Sequence, residues 1–177
     1  MRTAFFRWLK DEPRGWRAYA KLFTLMLLCD VCIASIGVFL LGEFAAGPVT
    51  NRILAVELDP WGVLWKLTVF VSGEELIYRG VCLRLAVRYC KKDSHVLLVA
   101  AIMSVIFGFS PQHSILSVAT RAGIAIGGML ASLLYLKCGG WRKGELLKPL
   151  AFTITAHMMV DAPILIIFVL HNGWGMH

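Results

Sequence analysis

The feature that most constrains this chain is a series of long apolar stretches, at 22–41, 61–86, 96 to about 113, about 118 to 136, and 149–170. Crossing the hydrocarbon core of a bilayer takes ~20 mostly apolar residues in a helix, and these segments approach or reach that length. Composition points the same way: 58% of residues are hydrophobic, 16% are charged, and the mean hydropathy is +0.71. A water-soluble domain of 177 residues does not have that balance. In lipid every backbone N–H and C=O must be satisfied within the segment, so apolar stretches of this kind fold as helices. The expected fold is all-α, a polytopic membrane helix bundle with about five transmembrane helices.

Charge sets the orientation. The formal net charge of +7 is unevenly distributed. Arg2, Arg7, Lys10, Arg14, Arg17 and Lys21 precede the first stretch; Arg88, Lys91 and Lys92 follow the second; Lys137, Arg142, Lys143 and Lys148 separate the fourth from the fifth. The other connections hold Arg52 and little else. This alternation follows the positive-inside rule for an odd number of spans with a cytoplasmic amino terminus, so the basic residues report topology and not binding to nucleic acid. Trp16 and Trp141 fall near the inner interface, and Trp61, Trp65 and Trp174 near the outer one. An inner membrane of a prokaryotic type is the expected location. The first stretch exceeds the ~7 to 15 residue core of a cleavable signal, so it is expected to stay as an anchor.

Residues 1–21 read as a basic amphipathic segment, with Phe5, Phe6, Trp8 and Leu9 against Arg2, Arg7 and Lys10, suited to lying on the inner leaflet. Residues 22–170 read as one transmembrane domain and 171–177 as a tail. Gly47, Pro48, Asn51 and Pro60 mark the longest outer loop, and Gly139 with Gly140 a helix stop. Gly123, Gly127, Gly128, Ala131 and Ser132 give the fourth stretch a small-residue face that admits a neighbouring backbone. Cys29, Cys32, Cys82, Cys90 and Cys138 are odd in number and scattered, which is not a disulfide framework.

Ionisable residues inside a membrane cost at least ~2.5 to 3.5 kcal/mol each and mark functional sites by default. The second stretch contains Ser72-Gly73-Glu74-Glu75-Leu76-Ile77-Tyr78-Arg79. Glu75 and Arg79 are four apart and share a helix face, so they can pair. Glu74 is turned about 100° away and needs another partner: a histidine, a water or a metal. His113 ends the third stretch, and His157 lies inside the fifth with Asp161 four residues on. Asp30 and Arg121 are further intramembrane charges; Asp30 either faces the site or pairs with Arg121.

Taken together, Glu74-Glu75-x-x-x-Arg79, Phe109-x-x-x-His113 and His157-x-x-x-Asp161 resemble the CAAX protease and bacteriocin-processing family of glutamic-type intramembrane proteases. The likeness runs over 61–170, the protease-like core. It departs from the family at Asp161, where Asn is commoner, and at Pro111, a helix breaker inside the second motif. The resemblance implies that Glu74 with His113 activates water against a scissile carbonyl, that His157 and Asp161 bind or organise the oxyanion, and that Glu75 and Arg79 form a supporting ion pair. It implies no cofactor and no metal, and a substrate that is a membrane-anchored or membrane-proximal peptide, such as a C-terminal sorting tail or CAAX-like terminus. By topology Glu74 and His157 sit near mid-membrane and His113 toward the outer side, so one site joining them requires tilted or broken helices.

Three other readings compete. A non-catalytic protein of the same fold, acting in bacteriocin self-immunity or as a scaffold, would keep the motifs for binding. A proton or ion transporter would use the same carboxylates. A metalloprotease with His113, His157 and a carboxylate as ligands is disfavoured by the lack of His-Glu-x-x-His.

Overall fold

The computed structural model describes residues 2–41, 60–114, 116–141 and 145–172. Among these the chain is all-helical. Helix α1 (Arg2–Lys10) is followed by α2 (Trp16–Leu41) and α3 (Pro60–Glu75). The last of these runs on without a break through a π-helical stretch, Leu76–Leu83, into α4 (Arg84–Tyr89). Helix α5 (Asp93–Gly108) ends at a 3-10 turn, Pro111–His113, and α6 (Val118–Tyr135) leads to α7 (Leu147–Asn172). The expected outer loop over 42–59, Arg52, Arg142, Lys143, Trp174 and the end of the tail lie outside the described residues, as does the side chain of Asp30.

Helix α6 is the hub, packing against α2, α5 and α7, while α3 packs on α7. Its small residues explain why. A Cβ added at Gly123 would lie 3.2 Å from Ile33 of α2, and one at Gly128 3.3 Å from Phe107 of α5. The closest approach is on the partner helix: a Cβ at Gly108 would sit 2.4 Å from the carbonyl oxygen of Arg121 and 2.7 Å from the Ala125 nitrogen, so α5 and α6 touch backbone to backbone. Helix α6 ends where Cys138 leaves helical geometry and Gly139 takes φ +110, a left-handed conformation open to glycine.

The polarity of the bundle is inverted relative to a water-soluble domain. Leu25, Leu28, Val69, Ile77, Val81, Leu98, Ile102, Val105 and Ile126 face outward, while Glu74, Glu75, Arg79 and Lys137 are buried. Among the described residues one helix, Val118–Gly140, is both long and apolar enough to cross a membrane. Helix α5, with 16 residues, is short of a full span. The expectation of about five spans therefore reaches beyond what the described helices establish.

The amino-terminal helix packs into the bundle. Leu9 is fully buried in a core cluster with Leu83, Val96, Ala100, Tyr135, Leu136 and Leu150. The Lys137 ammonium donates to the Trp8 and Asp11 carbonyls at the end of α1 and lies 4.7 Å from the centre of the Trp8 ring. Those carbonyls have no partner within α1, and a cation there also meets the negative end of the helix dipole. Lys10 pairs with Asp93 at 2.7 Å, and Glu12 accepts from both Tyr19 and Lys148. The Glu12 carboxylate, followed by the Tyr19 hydroxyl, pushes the Lys148 ammonium above its usual value.

Candidate active site

Glu74 and Glu75 close α3, and the helix widens immediately after them. The Arg84 N–H bonds to the Arg79 carbonyl five residues back, the mark of a π-turn, which inserts an extra residue and is often found at functional sites. Arg79 reaches back to Glu75, Nη1 to Oε1 at 2.8 Å, with both side chains buried. Its Nη2 donates to the Gly128 carbonyl at 2.7 Å, an oxygen that no side chain on Gly128 covers. The guanidinium also lies over the Phe107 ring, 5.6 Å from its centre.

The same Glu75 oxygen takes a second donor. His157 Nδ1 on α7 lies 2.9 Å from Glu75 Oε1, and since a carboxylate oxygen accepts, the ring N–H donates. Its other nitrogen, Nε2, is 3.8 Å from Asp161 Oδ2, one turn along α7. Glu75 Oε2 is buried with no hydrogen-bond partner from the protein. Glu75 is thus more than the counterion of Arg79: it ties α3 to α7 and orients a histidine. Glu74, 8% exposed, lies within electrostatic reach of His157 and Tyr78.

His113 arrives by a different route. Helix α5 stops at Phe109, Ser110 is extended, and Pro111 opens the 3-10 turn. The imidazole folds back so that Nδ1 is 3.0 Å from the Phe107 carbonyl and 3.2 Å from Ser110 Oγ. A carbonyl only accepts, so Nδ1 carries a proton, and in the neutral ring Nε2 keeps its lone pair. The broken helix thereby turns His113 back against the Phe107 ring.

Phe107 joins the two halves. Its ring meets His113 edge-on at 5.5 Å and His157 at 6.1 Å, with Tyr78 at 5.1 Å. The structure thus joins Glu75, Arg79, His157 and Asp161 by direct contacts and sets His113 across one aromatic ring from them. Sequence reasoning missed Phe107 and singled out Phe109, which is 38% exposed and stacked under Arg121. No spacing rule could have told the two apart, because Phe107 lies in the last turn of α5 and Phe109 caps it, and only the packing of α6 and α7 selects Phe107. Nor does Arg121 meet a carboxylate among its described contacts; it donates to the Phe109 carbonyl. Among the described residues no group of three or more His, Cys, Asp or Glu side chains forms a metal site.

The model of one protein family, described as type II CAAX prenyl endopeptidase Rce1-like, matches residues 56–163, more than half of the chain. All three motifs fall within that range. No curated protein and no solved structure matches significantly.

Proposed function

Because the chain belongs to the Rce1-like family of type II CAAX prenyl endopeptidases, a family of membrane proteases, we propose that it is a glutamic-type intramembrane endopeptidase. Its substrate is a membrane-anchored or membrane-proximal peptide with a C-terminal sorting tail or CAAX-like terminus. The fold is a bundle of about five spans with a cytoplasmic amino terminus, in a prokaryotic inner membrane. Residues 22–170 form the transmembrane domain, 61–170 its catalytic core, and α1 docks on the cytoplasmic end. Two features support the spans: α2 and α7 each have 26 residues, about 39 Å of helix, and the exterior of the bundle is apolar.

In this reading Glu74 and His113 take a proton from a water molecule whose oxygen attacks the scissile carbonyl carbon. His113 is suited to this because its Nδ1–H is held by the Phe107 carbonyl and Nε2 is left with a lone pair. The developing oxyanion faces His157. With Nδ1–H fixed on Glu75, the protonated ring offers Nε2–H to the oxyanion, and Glu75 and Asp161 balance the imidazolium charge. Asp161 orients the ring from the other side. The intermediate collapses as the C–N bond breaks, and the proton held by the Glu74–His113 pair passes to the leaving amine. Glu75 and Arg79 fix the helix that carries Glu74.

The observation that carries the proposal is the direct contact of Glu75 with His157 and of His157 with Asp161, with His113 set across the Phe107 ring from them, from three separate segments of the chain. Interhelical hydrogen bonds in membranes yield only ~0.6 kcal/mol on average, too little to explain retaining so many buried charges as glue. The test compares, by mass spectrometry, the termini of membrane and exported proteins from cells with the wild type or Glu74→Gln at matched expression. A defined truncated species that disappears in the variant is expected. Identical termini, under conditions in which the protein affects the cells, would falsify the catalytic reading.

A further inference from the structure

Arg121 is a charge that nothing above uses. It opens α6 at the end of the bundle assigned to the outer side, where the positive-inside bias does not ask for a cation. Its Nη2 donates to the Phe109 carbonyl at 2.8 Å, and its guanidinium covers the Phe109 ring at 4.6 Å. Phe109 is the residue at which α5 ends, so its carbonyl is one of those a helix terminus leaves without a partner. Nε of the same guanidinium is buried without a hydrogen-bond partner.

The peptide that Arg121 grips is two residues from the one that holds His113. The Phe107 carbonyl accepts from both the Ser110 N–H at 3.2 Å and His113 Nδ1 at 3.0 Å. Between them Gly108 lies against the Arg121 backbone, so the turn has no room to slide. Arg121 therefore holds the turn by its backbone, its charge and its ring stack at once. A neutral donor in its place would cost less to insert, but would not hold the ring by its charge.

We propose that Arg121 is a positioning residue that clamps the Phe109–Ser110 turn and so keeps His113 in the Nδ1–H form with Nε2 free. This rests on the protease reading only for its consequence, since His113 is the base partner there. The experiment is nitrogen-15 and carbon-13 NMR of histidine-labelled full chain in phospholipid nanodiscs, with His113 assigned by substitution. The wild type is expected to show a single Nδ1–H tautomer at His113. Arg121→Gln should shift His113 toward a mixture of tautomers while leaving the His157 resonances in place, and Arg121→Lys should restore most of the wild-type signature. Phe109→Leu, which removes only the ring, is expected to give a smaller shift in the same direction. A His113 signature untouched by Arg121→Gln overturns the proposal, as does a shift of His113 and His157 together, which would mark a general loss of structure. Where a processed product exists, Arg121→Gln should slow its formation about 10- to 100-fold at saturating substrate. If the His113 signature moves but the wild type yields no product, the positioning stands and the protease reading fails.

Discussion

A single oxygen of Glu75 receives Arg79 from its own helix and His157 from α7, and this double duty separates the roles of the two adjacent glutamates. Removing the charge at Glu75 leaves a buried guanidinium uncompensated, which costs on the order of 3–5 kcal/mol. Glu75→Gln should therefore lower the thermal unfolding midpoint in detergent markedly. Glu75→Gln with Arg79→Met removes both charges and should recover part of that stability, yet not the activity, because His157 has still lost its carboxylate. A double variant as unstable as the single one would show that Arg79 is not the source of the penalty.

Among the helices, the decisive feature is the meeting of α5 and α6 at Gly108. Ala at this position would put a methyl 2.4 Å from a backbone oxygen, so the helices must separate. Overpacking of this kind costs about 1–3 kcal/mol, and here the displaced segment also carries His113. Gly108→Ala is expected to destabilise the protein and reduce processing together. Gly123→Ala, which would meet only the Ile33 side chain at 3.2 Å, should be tolerated far better. Thermal unfolding of the two variants side by side is the measurement; equal effects would mean that the backbone contact is not close in solution. The interrupted α5 serves the same end, because the break folds the His113 ring back onto the Phe107 carbonyl.

For the whole molecule, the docking of α1 links the amino-terminal end of the chain to the core that supports the site. Leu9 shares its cluster with Leu83 at the end of the π-stretch and with Leu150 one turn from Thr153, itself beside Glu75. Leu9→Ala is expected to cost about 2–5 kcal/mol and to release α1. Hydrogen exchange of the α1 amides should then rise sharply while that of α6 stays slow. Unchanged exchange in α1 would mean that Lys137 and the surface pairs hold it without the apolar contact.

Much of this was legible in the chain itself. Hydropathy announced an all-helical bundle because a long apolar segment in lipid satisfies its own backbone groups only as a helix, and the Glu75–Arg79 contact follows from a four-residue spacing on one helix. The three motifs named the family for the same reason: they are local patterns. What no local pattern carries is distance between segments. Glu75 meets His157 across 82 positions, Arg79 finds the Gly128 carbonyl because α6 offers a bare glycine there, and Leu9 enters a core made from four other segments. Which of Phe107 and Phe109 would sit between the histidines was decided only when α6 and α7 closed on α5, since packing selects one face of a helix and periodicity alone leaves both candidates standing.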